Sequence, residues 1–173
     1  EWDRDGQYYH YLTKWMHALD CVGRATRDSI FNRWAIELAK AAHASFVYVP
    51  TFGGQKRMHW KMSIDLSYPL VPSMGHHDPL DGYVTYREIQ ATAARNFEKE
   101  RLPDLDAEIS DLANICQGKS WATDDPLGIG GLLFDLCRVG QLMVEARTDH
   151  LTDLFQTLLD FSLQSLQVYS RNN

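Results

Sequence analysis

The chain repeats one helix-start signal in front of two apolar stripes of helical period. The tripeptide Asp-Pro-Leu occurs at residues 78–80 and again at 125–127. Asp is favoured as the residue that caps a helix, and Pro is favoured at the first helical position, so each tripeptide predicts a helix start. A repeated start followed by a repeated apolar period is typical of an array of helical hairpins.

Apolar spacing extends this prediction to the whole chain. Leu12, Met16 and Leu19 begin a stripe with the spacing of an amphipathic helix, and further stripes follow. Because the breaks between neighbouring stripes are short, the helices should pair as antiparallel hairpins, at about 7–43, 79–117 and 126–170. We assign Trp15 and Trp34 to packing between helices. The predicted fold is all-α, with residues 1–173 forming a single helical-hairpin domain.

A different period interrupts the helices at about 45–64. Residues 45–49 are β-branched and aromatic, Gly53-Gly54 follows, and residues 57–64 alternate between apolar and polar. This pattern predicts a small β-hairpin inserted between the first and second helical pairs. One face of its second strand carries Met58, Trp60, Met62 and Ile64, and the other face carries the hydrogen-bond donors Arg57, His59, Lys61 and Ser63.

Charge and cysteine content narrow the function classes. The 173 residues hold 17 Lys and Arg against 23 Asp and Glu, a net charge of −6, which argues against nucleic acid as a partner. No uninterrupted apolar run reaches the length of about 18 residues that spans a membrane. Cys21, Cys116 and Cys137 form no C-x-x-C pair, and their odd number favours a reducing, cytoplasmic compartment. No metal-binding motif occurs, so neither metal nor cofactor is expected.

The segments that precede the three odd-numbered helices are dense in His, Asp and aromatic residues. They cover residues 3–10, 75–79 and 121–126. The turns inside the hairpins carry no comparable cluster. If the hairpins stand side by side, these leading segments lie at one end of the array. We therefore expect them to converge on one functional face.

The leading segments supply the candidate catalytic groups. Among the carboxylates of these segments, Asp5 and Asp124 are the ones least explained by helix capping or dipole compensation. His76 and His77 precede a helix start, where the helix dipole favours the neutral imidazole that a proton-transferring base needs. His10 lies nearest the functional end of the first helix. These five residues are the predicted acid and base groups.

Other residues of the same face are candidates for binding substrate. The indoles of Trp121 and Trp60 can pack on the apolar C–H faces of sugars, although Trp60 also fits a place in the core. Carboxylates before or just after the two Pro residues have two explanations, helix capping or dipole compensation on one side and ligand contact on the other. The predicted binding residues are Lys14, Trp60, Lys61, Asp78, Asp81, Trp121 and Asp125.

Three runs of the chain carry a resemblance to a known superfamily. The runs at 9–15 (Tyr-His-Tyr-Leu-Thr-Lys-Trp), at 60–63 (Trp-Lys-Met-Ser) and at 72–82 (from Pro72 to Gly82) resemble segments of six-hairpin (α/α)6 toroid proteins. That superfamily includes many glycoside hydrolases and the N-acylglucosamine 2-epimerase group. The resemblance implies a carbohydrate-active enzyme that acts on a small sugar or glycoside by hydrolysis or epimerisation.

The chain length adds an expectation about assembly. A closed toroid has six hairpins and three are predicted here, so the chain corresponds to about half of a ring. We expect either a second copy, giving a homo-oligomer, or a missing second half to close it. The alternative function is a non-catalytic helical binding module that uses the same loop face.

Overall fold

The computed structural model describes residues 4–71, 73–146 and 151–172 and is mostly helical over them. Its helices are α1 (Tyr9–Thr26), α2 (Ser29–Phe46), α3 (Asp78–Asn96), α4 (Asp106–Cys116), α5 (Pro126–Ala146) and α6 (Thr152–Asn172). Its strands are β1 (Gln7–Tyr8), β2 (Val47–Tyr48), β3 (Arg57–Met58), β4 (Lys61–Met62) and β5 (Pro69–Val71). The all-α prediction is confirmed at this level.

The chain forms two compact units. Unit 1 runs to Gln117 and holds α1–α4 with the five strands, and unit 2 begins at Gly118 and holds α5 and α6. Each unit is described by itself below. The single domain and the partial ring stay predictions.

The core of unit 1 lies where α1, α2 and α3 pack together. A two-residue turn joins α1 to α2, and the Asp28 side chain caps α2 by accepting a hydrogen bond from the Ile30 amide, at 3.0 Å. The Tyr9 hydroxyl donates to the Tyr86 hydroxyl at 3.0 Å, and Tyr86 donates to the Ala39 carbonyl oxygen at 2.9 Å. This buried chain of hydrogen bonds ties the three helices to one another, and all three residues are fully buried.

Trp15 and Trp34 do not pack between helices as predicted, since they are 66% and 47% exposed. The buried face of α2 is built largely from alanines, including Ala35, Ala39 and Ala42. Alanine at a helix contact lets the two backbones approach closely, which leaves no room there for an indole. The apolar stripe predicted from spacing is therefore wider than the face that the helices bury.

The predicted β-hairpin is confirmed only where β2 pairs antiparallel with β3, with Val47 opposite Met58. The prediction of one continuous strand over 57–64 is wrong, because the chain changes partners after β3. β4 pairs instead with β1 and with β5, in a three-stranded antiparallel sheet. Met58 and Met62 are buried as expected, whereas Ile64 is 64% exposed.

Unit 2 is a pair of packed helices. The Asp125 carbonyl accepts the first helical hydrogen bond of α5, and its carboxylate accepts from the Gly128 amide at 2.8 Å, so the predicted cap is confirmed here. Inside α5, Asp135 and Arg138 form a buried ion pair at 3.2 Å.

Among the described residues, α5 is the one helix whose length and composition would allow it to cross a membrane. The segment Pro126–Glu145 has a mean hydropathy of 1.4, and 33% of its scored stretch is buried in the structure. A single helix of this kind is weak evidence for a membrane span, and the buried Asp135–Arg138 ion pair lies within it.

Candidate acid–base site

Two of the three leading segments meet, because α1 and α3 lie side by side and run in the same direction. Contacts between the helices advance together along both of them. We call this row of side-chain contacts between α1 and α3 the polar seam. Its pairs are His10 with Asp78, Lys14 with Asp81, His17 with Glu88, and Asp20 with Thr92.

The backbone of Trp60 holds the start of α1 next to the segment that leads into α3. Its carbonyl oxygen accepts a hydrogen bond from the Tyr9 amide at 3.3 Å, at the start of α1. Its amide donates to the Ser73 carbonyl oxygen at 2.9 Å, in the segment that leads into α3. The short sheet therefore positions the end of the polar seam where His10 and Asp78 lie.

Asp78 does not cap α3, so the capping explanation is wrong for this residue. The Asp81 amide donates to the His77 carbonyl oxygen at 3.0 Å, which makes His77 the N-cap, and the His77 side chain makes no capping hydrogen bond. Asp78 is only 6% exposed, and its Oδ2 has no hydrogen-bond partner among the residues that the structure describes. Its Oδ1 lies 3.7 Å from His10 Nδ1.

This placement favours the protonated form of Asp78. The pKa of the carboxyl is raised to about 7, mainly by burial and also by the neighbouring charge of Asp81, while the charge of Lys14 acts in the opposite direction. Gly75 allows the arrangement, because a Cβ at that position would overlap the Asp78 carboxyl group. The Asp78 carboxyl can therefore donate a proton near neutral pH.

Asp81 has different surroundings from those of Asp78. It accepts a hydrogen bond from Thr13 Oγ1 at 2.5 Å and forms an ion pair with Lys14 at 2.8 Å. One buried carboxyl thus lacks a hydrogen bond at one oxygen, while its neighbour is held by a hydroxyl and an ammonium group. Such a difference in environment is typical of carboxyl pairs in which one group acts as the acid and the other as the base.

His10 is the nearest candidate for a base. Burial lowers the pKa of its imidazole below the ordinary value, with the charge of Lys14 acting in the same direction and that of Asp81 opposing both. The neutral ring can therefore accept a proton at pH 7. It packs against Tyr11, with ring centroids 4.4 Å apart, and against Tyr8, at 5.5 Å.

Aromatic and basic groups adjoin His10 through Tyr8. The Tyr8 ring meets the half-buried Trp60 indole nearly edge-on, with centroids 5.7 Å apart. The Lys61 ammonium lies 4.9 Å from the Tyr8 ring centroid and donates to the Arg4 carbonyl oxygen at 2.6 Å. Lys61 is only 3% exposed, so it contributes positive charge beneath this wall of rings.

The structure brings together six of the predicted site residues, namely His10, Lys14, Trp60, Lys61, Asp78 and Asp81. Asp5 is exposed on the segment before β1. His76 is exposed and His77 half-buried, with their rings in edge-on contact at 4.5 Å just before α3. Asp5 precedes β1, and His76 and His77 directly precede α3.

The remaining three predicted residues belong to unit 2. Asp124 and Asp125 are exposed, and Asp125 caps α5. Trp121 is 3% exposed, so its indole offers almost no open face to a ligand. The convergence of the third leading segment with the other two stays a prediction.

Sequence reasoning missed Thr13, Tyr8 and Gly75. Thr13 directly precedes Lys14 and Tyr8 lies two residues before His10, so both were on the right segment without being singled out. The role of Gly75 depends on how closely Asp78 folds back over it, which no local pattern encodes.

Comparisons with protein-family models, with characterised proteins and with solved structures found no match to this chain. Within the described ranges, no group of three or more His, Cys, Asp or Glu side chains has the arrangement of a metal site. A function for the chain therefore has to follow from the geometry of the polar seam.

Proposed function

We propose that the chain is a carbohydrate-active enzyme of the six-hairpin glycosidase-like type, which acts on a small sugar or glycoside by hydrolysis or epimerisation. The observation that carries the proposal is Asp78, a buried carboxyl group with one unpartnered oxygen and a pKa of about 7. Such a group costs stability, and carboxyls of this kind are concentrated at sites that transfer protons.

Both reactions use a proton donor beside a base. In hydrolysis, Asp78 gives its proton to the leaving oxygen as the glycosidic bond breaks, and water supplies the hydroxyl group that the sugar carbon gains. In epimerisation, a base such as His10 removes the proton next to a carbonyl group, and an acid returns a proton to the opposite face of that carbon. Asp78 and His10 can fill these two roles.

The surroundings of the pair suit a sugar. The rings of Tyr8, Tyr11 and Trp60 offer surfaces for apolar C–H faces, and Tyr11 is 58% exposed. Lys14 is 49% exposed next to Asp81 and can donate to a sugar hydroxyl. Aromatic walls with a few polar anchors are typical of pockets for small polar ligands.

The partial toroid belongs to the same proposal. The common direction of α1 and α3 is the one expected when consecutive antiparallel hairpins stand side by side. Exposed apolar residues on α5, such as Leu127 at 86% and Val144 at 78%, support closure of the ring by a second copy or a further half. Three free cysteines support a cytoplasmic location.

The test is an activity screen that separates the two reactions. Nitrophenyl glycosides report hydrolysis through released nitrophenol, and aldoses incubated in D₂O report epimerisation through deuterium at the carbon next to the carbonyl group. We expect one of the two signals, with a rate that falls as pH rises through about 7 because Asp78 loses its proton. Asp78→Asn should lower kcat about 100-fold or more.

Asp153→Asn is the matched control, since it makes the same chemical change at an exposed position of α6. It should keep the activity of the unmodified protein. Full activity in a folded Asp78→Asn variant would refute the assignment of the acid. Saturable sugar binding without turnover would favour the non-catalytic binding module instead.

A further inference from the structure

A second cluster lies about two helical turns further along the polar seam. His17 Nδ1 is 2.9 Å from Glu88 Oε2, and His17 Nε2 is 3.6 Å from the sulfur of Cys21. The sequence explains half of this arrangement, because residues four apart on a helix lie on the same face. Glu88 comes from α3 and completes a line of carboxylate, imidazole and thiol.

The order of the three groups is that of an activated nucleophile. When His17 donates its Nδ1 proton to Glu88, its Nε2 lone pair faces the sulfur and can take the thiol proton. Glu88 is 7% exposed, so its charge acts on the imidazole with little screening by water. The carboxylate thus sets the tautomer and stabilises the imidazolium that forms.

A guanidinium group adjoins the sulfur from the other side. Arg24 Nη2 donates to Cys21 Sγ at 3.3 Å, while Arg24 Nε is 3.2 Å from Asp20 Oδ2. Because the ion pair with Asp20 helps hold the guanidinium in place, its positive charge stays next to the sulfur. The guanidinium therefore lies where it can stabilise the negative charge of the sulfur as it attacks an electrophile.

From this geometry we propose that Cys21 is a reactive thiol and a site of covalent modification by small electrophiles, including hydrogen peroxide. Cys21 is half-buried, which leaves part of the residue open to a small reagent. This proposal involves no sugar and does not depend on the function proposed above.

The chemistry balances without a further reactant. His17 takes the proton of the Cys21 thiol, and the thiolate attacks one oxygen of hydrogen peroxide. An S–O bond forms and the O–O bond breaks, so the sulfur is oxidised to sulfenic acid and the peroxide is reduced. The departing hydroxide takes the proton from His17 and leaves as water. With iodoacetamide, an S–C bond forms, the C–I bond breaks and iodide leaves.

The chain carries its own controls, since Cys116 and Cys137 are also free thiols and Cys137 is the more exposed. The experiment treats the folded protein with limiting iodoacetamide at pH 7 and measures labelling of each cysteine by peptide mass spectrometry. We expect Cys21 to react about ten-fold faster than Cys137, and the three to react alike in urea.

His17→Asn should lower the labelling rate of Cys21 about ten-fold and leave the other two cysteines unchanged, and Glu88→Gln should give a smaller loss. If a variant fails to fold, Cys116 of the same unit will show it by reacting as it does in urea, and the ratio of Cys21 to Cys137 in the unmodified protein then decides. Peroxide followed by dimedone should tag Cys21 first. A Cys21 that reacts no faster than Cys137 in the folded protein overturns the proposal, as does a folded His17→Asn variant with an unchanged rate.

Discussion

Replacing Asp78 by Asn should stabilise the protein at pH 8 and change its stability little at pH 4. The pKa of this carboxyl is raised from 3.8 to about 7 by burial, so the folded protein keeps a proton that the unfolded chain has lost. The contribution of Asp78 to stability is therefore fully present below pH 3.8 and is lost as pH rises towards about 7. At 1.36 kcal/mol per pH unit, the total loss is roughly 4 kcal/mol.

Urea unfolding followed by circular dichroism at pH 4, 6 and 8 measures this loss. The difference in the free energy of unfolding between Asp78→Asn and the unmodified protein should grow with pH up to about 7 and then stay constant. Asp153→Asn, which changes an exposed carboxyl, should show no such growth. A difference for Asp78→Asn that is the same at all three pH values would refute the assignment of a buried proton.

Removing the neighbouring charges of Asp81 and Lys14 tests whether electrostatics contributes to the raised pKa of Asp78. Asp81 raises the pKa of Asp78 and Lys14 lowers it. Lys14→Met should therefore move the upper end of the pH-dependent range to higher pH, and Asp81→Asn should move it to lower pH. Shifts in the same direction for both variants would contradict the electrostatic explanation.

Gly82→Ala and Asp20→Ala test the packing of the helices by urea unfolding, with Gly130→Ala as a comparison for the first. Gly82→Ala should lower the free energy of unfolding by about 1–3 kcal/mol, because the new Cβ would overlap the Tyr9 ring. Gly130→Ala, on an open helix surface, should raise it by about 0.5–1 kcal/mol. Equal effects of the two substitutions would contradict this explanation. Asp20→Ala should cost about 3 kcal/mol, because it leaves buried Asn32 and Thr92 without their carboxylate acceptor, and a loss under about 1 kcal/mol would contradict this.

The helices were predictable because their apolar period is a local property of the sequence. The errors arise where a distant partner decides the outcome. Residues 57–64 alternate like one strand, yet the His59 amide donates to the Phe46 carbonyl oxygen and the Trp60 amide to that of Ser73. These two hydrogen bonds turn the chain between β3 and β4, and no feature within the segment itself signals them.

The site was partly predictable for a similar reason. Density of His, Asp and aromatic residues picked out three segments, and two of them meet as expected. The sequence could not rank the carboxyls within those segments by burial. Asp5, a predicted catalytic carboxylate, is exposed, whereas Asp78, for which capping and ligand contact were both open, is buried and has a raised pKa. Burial depends on the packing of α1 against α3, which spacing along the chain does not reveal.

The two Asp-Pro-Leu tripeptides show how burial changes the role of the same residue type within one chain. At Asp125 the carboxylate caps its helix and stays in water, an arrangement worth about 1 kcal/mol. At Asp78 the helix begins one residue earlier, so the same side chain gives up the cap and loses its hydration as well. Asn at this position would avoid the cost of burying an ionisable carboxyl. Folding alone does not account for this cost, and a proton that can be given up near pH 7 is the property on which the proposed function depends.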